Sequence, residues 1–214
     1  MGAKIDMLRI TPENFNSILA PTQPQFARMQ RAVFLDRDGT LIAEKNYLHR
    51  PEDVEIFPGT GTALKSLVEA GFKLFIVTNQ SGIGRGFFTL DDAVRVNEHL
   101  CRELARDGVR FEKIYIAPEA PSQPSRGRKP SPQFLFDARD EFGLDLAESF
   151  MAGDKLIDLE CGWNAGVKNS ILLRTGYGAE TERESPDQIS RAVVVDNLTG
   201  LAGWILQSDS NFKV

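Results

Sequence analysis

Asp36 and Asp38 stand two residues apart, directly after the apolar run Ala32-Val33-Phe34-Leu35 and just before Gly39-Thr40. At the end of an extended strand that spacing projects both carboxylates to the same side. Two crowded carboxylates repel, and one is driven to hold a proton unless a cation sits between them. Magnesium suits the position, since it takes oxygen ligands, keeps several waters and is held by one or two carboxylates plus a substrate phosphate. A carboxylate can also attack phosphorus and form an aspartyl-phosphate that water later hydrolyses. Asp36, next to the rigid strand, is the candidate nucleophile; Asp38 is the candidate acid that protonates the leaving alcohol and then the base that deprotonates water.

Three further places offer matching parts. Thr78, in Thr78-Asn79-Gln80-Ser81-Gly82, brings a hydroxyl and neighbouring backbone N–H groups; Lys129, in Arg128-Lys129, brings a positive charge for the phosphoryl oxygens. Asp154, in Gly153-Asp154-Lys155, would complete the carboxylate set, with Asp158 one helical turn onward in support. Taken singly, each has an ordinary reading as a turn, a strand-end cap, a surface lysine or a helix cap. Their joint occurrence at four strand ends is what carries the chemistry.

The elements that must position them read as a buried parallel sheet covered by helices, because short all-apolar runs alternate with helical segments from Arg31 onward. Strands are expected at 32–35, 73–77, 111–116, 149–152, 170–173 and 192–195. A helix from 59 to 70 carries Ala63, Leu64, Leu67 and Val68 on one stripe and stops at Gly71. Thr89, with Asp92 three residues on, opens a helix whose apolar face holds Val94, Val96, Leu100, Cys101 and Leu104 and which closes near Gly108. Ser131-Pro132 starts another that ends before Gly143, a short one follows Asp154, and a last one spans 198–207. In such sheets ligands bind at the carboxyl ends of strands, where the four places lie. Residues 1–30, with Pro12, Pro21 and Pro24 and no sustained period, read as an N-terminal extension; 31–214 reads as one domain.

Composition narrows the partners. The chain has 214 residues, 42% hydrophobic content and a net charge of -5, which is globular and excludes a nucleic-acid partner held by a basic surface. No apolar run is long enough to span a bilayer, so no membrane partner and a cytoplasmic, reducing location are expected. Cys101 and Cys161 read as buried small hydrophobes, and the His99/Cys101 pair would face different sides of a helix. The run Ser81-Gly82-Ile83-Gly84-Arg85-Gly86 fails the dinucleotide G-x-G-x-x-G spacing because Phe87 replaces the third glycine.

The segments Asp36-Arg37-Asp38-Gly39-Thr40-Leu41, Thr78-Asn79-Gln80-Ser81-Gly82-Ile83, Arg128-Lys129-Pro130 and Gly153-Asp154-Lys155 resemble the four signature segments of the haloacid dehalogenase-like (HAD) phosphatases. The closer resemblance is to the branch of heptose bisphosphate and histidinol phosphatases, over roughly 31–176. It implies an α/β, Rossmann-like three-layer sandwich with a central parallel sheet and no large cap domain. It also implies a magnesium-dependent phosphomonoesterase acting on a small-molecule phosphate ester, first a sugar bisphosphate. Other outcomes are a histidinol-phosphate or broad-range sugar phosphatase, or an inactive phosphate-binding scaffold. By the resemblance Asp36 is nucleophile, Asp38 acid/base, and Thr78 and Lys129 hold the phosphoryl group. Asp36, the Asp38 carbonyl and Asp154 bind magnesium, while Asn79, Gln80, Arg128 and Lys155 contact substrate. Members of this branch carry a zinc loop before the Arg-Lys-Pro segment. Here Ala117, Glu119, Ser125 and Gly127 stand at its ligand positions, so no structural zinc is expected, and Pro118, Pro121 and Pro124 shape the loop instead. Arg126 and Arg128 in that loop suit a second anionic group.

Overall fold

The computed structural model describes residues 29–210. All but the last two residues of the expected extension therefore lie outside the described part. Gln30 already belongs to the folded unit, since its N–H donates to Gly143 O and its carbonyl accepts from Asp145 N.

Six strands form one parallel sheet: β1 (Arg31–Leu35), β2 (Phe72–Asn79), β3 (Lys113–Ala117), β4 (Phe150–Gly153), β5 (Asn169–Leu173) and β6 (Val193–Val195). Their spatial order is β3-β2-β1-β4-β5-β6. The connections run outward in both directions from β1 and β4, which makes that pair the switch point where a crevice opens at the carboxyl edge. Seven helices accompany the sheet among the described residues: α1 (Thr60–Glu69), α2 (Ser81–Gly84), α3 (Leu90–Ala105), α4 (Gln133–Phe142), α5 (Leu156–Ala165), α6 (Gly178–Glu184) and α7 (Leu198–Ser210). No inserted domain interrupts them after β1 or β2.

The alternation within β1 explains why its residues from Ala32 to Leu35 are all apolar. Val33 and Leu35 pack on one face with Leu64, Leu67, Leu100, Leu201 and Ile205, from α1, α3 and α7. Ala32 and Phe34 pack on the other with Leu135, Ala138, Cys161 and Ala165, from α4 and α5. The result is three layers with two cores, and the strand between them has no solvent face to make polar.

Local signals hold where backbone geometry enforces them. Thr89 Oγ1 accepts from Asp92 N at 3.1 Å while Thr89 N donates to the Asp92 carboxylate at 2.7 Å, a complete capping box for α3. Gly71 after α1 and Gly143 after α4 both take the left-handed conformation (φ 87° and 65°) that ends a helix without steric penalty.

Two expectations need correction, and one helix is unexpected. The third strand starts at Lys113 rather than 111, because Phe111 turns into the core before pairing begins. The stripe of α3 is Ala93, Val96, Asn97, Leu100 and Leu104; Val94 is 38% exposed and Cys101 only half-buried. The buried polar member, Asn97, replaces an apolar neighbour because it serves the site described below. The unexpected helix is α6, which carries no apolar stripe to announce it; Thr181 Oγ1 ties it to Asp154 O at 3.0 Å.

The corrected stripe makes a differential prediction for α3. Leu100→Ala should lower unfolding free energy by about 3 kcal/mol, whereas Val94→Ala should change it by under about 1 kcal/mol. Denaturant titration of both variants checks this; equal losses would place Val94 in the core.

Candidate active site

The carboxyl ends of β1, β2 and β4, with the residues just before α4, bring the four sequence segments to one cleft of about 360 Å³. At its floor lie Asp36, after β1, and Asp154, after β4, joined by Asp158 from the first turn of α5. One carboxylate oxygen of each falls within 4.8 Å of the others, and all three residues are buried. Lys129 is 3% exposed and its Nζ lies 2.6 Å from both Asp36 Oδ1 and Asp158 Oδ1.

Charge balance decides what this group can hold. Three buried carboxylates face a single ammonium, which leaves two negative charges in a low-dielectric setting. Burial opposes the Lys129 charge, but the adjacent Asp158 and Asp36 outweigh it and keep the ammonium protonated above its ordinary range. Burial, reinforced by the charges of Asp36 and Asp158, pushes the Asp154 carboxyl up to about 8. Asp154 Oδ2 accepts from Tyr177 N at 2.8 Å, whereas its Oδ1 is buried without a hydrogen-bond partner among the described residues. A hard divalent cation answers both facts, supplying charge and a partner for an oxygen donor set. Gly39 is shaped for the same purpose: its φ is 84°, and a Cβ there would run into the Asp154 carboxylate.

Asp38 faces a different environment. Its carboxylate is outside the three-carboxylate cluster and is gripped by Arg37, whose Nε and Nη2 approach it at 3.0 and 3.1 Å, and by Gln80 Nε2 at 2.8 Å. Burial raises the Asp38 pKa, with the Arg37 charge opposing the rise. A carboxyl held this way can carry a proton and return it, as an acid/base group must. Arg37 is itself completely buried and donates its third bond to Asn97 Oδ1 at 2.9 Å. The polar residue in the α3 stripe is thus the anchor of the arginine that holds Asp38.

The expected substrate contacts divide. Asn79 and Gln80 line the cleft, but their amides are engaged within the protein. Asn79 clamps the Lys129 backbone through bonds of 3.0 and 3.1 Å, and Gln80 bridges Asp38 to Thr78 Oγ1, 2.8 Å from each. Both hold candidate catalytic groups in place. Lys155 lines the cleft, paired with Glu44 at 3.1 Å and over the Tyr177 ring, with its ammonium 4.7 Å from the centroid. Arg128 also lines it, its Nη1 donating to Glu119 O at 3.1 Å, and burial plus the nearby Arg85 charge lowers its pKa. Of the two arginines that suited a second anionic group, Arg128 lines the cleft and Arg126 does not, being paired with Asp137 on the surface.

Sequence reasoning missed Arg37, Asn97, Glu44 and Tyr177 as parts of the site, and gave Asp158 only a supporting place. Asn97 was findable as the one polar residue on an otherwise apolar stripe. Glu44 and Tyr177 sit in irregular segments and carry no periodic signal. As for zinc, Ala117 offers no donor, Glu119 and Ser125 bond each other at 2.7 Å, and a Cβ at Gly127 would be built into the Phe134 ring. That donor set does not fit the metal.

The chain matches the family model described as polynucleotide kinase 3 phosphatase over residues 31–157, and the model described as HAD-hydrolase-like over 127–201. It is 38% identical over 174 residues to a D-glycero-beta-D-manno-heptose-1,7-bisphosphate 7-phosphatase of Haemophilus ducreyi, covering 78% of this chain and 96% of that one. The Escherichia coli enzyme of the same name is 38% identical over 166 residues, covering 74% and 87%. Among solved structures, the D,D-heptose 1,7-bisphosphate phosphatase of B. bronchiseptica complexed with magnesium and phosphate superposes with a TM-score of 0.78 at 28% identity, covering 84% and 99%. With a parallel sheet in this order and its carboxylates at the switch point, the chain belongs to the HAD-like phosphatases, in the branch of the heptose 1,7-bisphosphate 7-phosphatases.

Proposed function

We propose that the protein removes the C7 phosphate of D-glycero-D-manno-heptose 1,7-bisphosphate. The observation that carries the reaction is the cluster of Asp36, Asp154 and Asp158 around the Lys129 ammonium at the floor of a cleft whose wall carries Arg128. The floor suits the phosphoryl group that reacts, and the cationic wall suits the one that stays. The substrate itself is read from the named relatives. An acidic chain without a basic stripe fits a small sugar better than a polynucleotide.

Asp36 attacks phosphorus as the bond to the sugar oxygen breaks, and Asp38 gives its proton to that oxygen. Water then attacks the phosphorus of the group held on Asp36, Asp38 takes the water's proton, and the bond between the Asp36 oxygen and phosphorus breaks to release orthophosphate. Thr78 and Lys129 hold the equatorial oxygens, Gln80 and Arg37 keep Asp38 aimed, and Asn79 keeps Lys129 in place. Asp36, Asp154 and the Asp38 carbonyl would hold magnesium, with Asp158 adding charge from behind; the ion supplies neutralisation of the phosphoryl charge. The loop before Arg128 works without zinc.

No helix among the described residues is long and apolar enough to cross a membrane. Two free cysteines, one buried and one half-buried, agree with work in the reducing cytoplasm.

Three outcomes follow for the purified protein. Asp36→Asn should lower phosphate release by about a thousandfold or more, with unfolding still cooperative; an unchanged rate would remove the nucleophile assignment. In a magnesium-supplemented substrate panel, kcat/KM for the heptose bisphosphate should exceed that for simple sugar monophosphates and histidinol phosphate by more than about tenfold, roughly 1.4 kcal/mol in the transition state. A flat panel would reassign the enzyme as a broad-range phosphatase. Magnesium at about a hundredfold its Kd should raise Tm by about 5 to 10 °C, and much less in Asp154→Asn. Equal shifts in both would show that Asp154 is not a ligand.

A further inference from the structure

The segment from Ala117 to Pro130 has no helix or strand of its own after β3, yet it presents Arg128 to the cleft at a defined place. An exposed, proline-rich connection of this length needs internal bonds to hold one conformation. Those bonds converge on Glu119 and Ser125. Ser125 Oγ donates to Glu119 Oε2 at 2.7 Å and accepts from Arg128 N at 3.1 Å. Glu119 closes the ring from the other side, because its backbone carbonyl accepts from Arg128 Nη1 at 3.1 Å. Arg128 is therefore gripped at both its backbone and its guanidinium by two residues that themselves bond each other.

Two neighbours brace this ring. Gly84 at the end of α2 donates to Pro118 O at 2.8 Å, and a Cβ there would run into the Ala120 backbone, so the glycine allows α2 to close against the loop. Gln123 Oε1 accepts from Ala120 N at 2.7 Å. On the far side Phe134 stacks on Tyr115, with ring centroids 5.2 Å apart, and fills the space beside Gly127. The Gly-rich run after β2 thus serves backbone approach rather than a nucleotide.

We propose that Glu119 and Ser125 are positioning residues that form a metal-free clasp, fixing Arg128 for the phosphate group that is not cleaved. The proposal rests on the bisphosphate reading above. It assigns the clasp to substrate binding alone, since neither side chain is among the groups lining the floor. A lost clasp leaves the reacting phosphoryl group in place and loosens only the distal contact, a uniform-binding effect that appears in KM.

The test uses the full chain. Ser125→Ala should raise KM for the heptose bisphosphate about fivefold with kcat held, because the lost bonds reach the substrate only through Arg128. Ser125→Thr, which keeps the hydroxyl, should restore it, and Glu119→Ala should behave as Ser125→Ala. A fall in kcat instead, or a KM unmoved by Ser125→Ala, overturns the proposal. Hydrogen exchange gives an independent readout: amides of 118–128 should exchange about fivefold faster in Ser125→Ala and at the parent rate in parent protein treated with a zinc-selective chelator. Chelator-induced loss of protection would mean that a metal, not the clasp, orders the loop. Should the parent hydrolyse no phosphate ester, the functional reading falls, while the exchange comparison still decides whether the clasp exists.

Discussion

Everything at the active site depends on keeping three carboxylates buried together beside one ammonium. Isolated burial of any of them would drive protonation, because charge is poorly solvated away from water. Lys129 offsets one charge, with its Nζ 2.6 Å from both Asp36 and Asp158, and the remaining negative charge suits a hard divalent cation. The sheet supplies the rigidity this requires. Asp36 and Asp154 extend from adjacent strands locked in parallel register, Val33 opposite Phe150 and Leu35 opposite Ala152, so their separation is set by backbone hydrogen bonds rather than by side-chain choice.

Around that centre, several polar side chains hold other residues of the cleft. Arg37, Asn97, Gln80 and Asn79 are engaged with Asp38 and Lys129 rather than aimed at solvent. The Arg37 guanidinium is the clearest example: it is fully buried, holds Asp38 with two bonds and reaches Asn97 on α3 with a third. This arrangement couples Asp38 to a helix whose other inward residues are purely apolar, so packing of α3 and orientation of Asp38 are parts of one structure. Two cations of the cleft are held separately, Arg128 by its loop and Lys155 by Glu44 and Tyr177.

The amino-acid sequence alone determined the layered parallel sheet, most helix limits, the nucleophile and acid/base candidates and the family. These are properties of local pattern: all-apolar strands declare burial on both faces, capping boxes and left-handed glycines declare helix ends, and Asp-x-Asp directly after such a strand places two carboxylates at its carboxyl edge. Tertiary structure alone decided partnership. Asp158 joins the carboxylate cluster, Arg126 turns away to Asp137, and Glu44 and Tyr177 reach Lys155 from segments far apart in the chain. The physical reason is that a charged or amide side chain is defined by whichever group meets it across the fold. Such meetings follow from strand register and helix packing, which no spacing along the chain encodes.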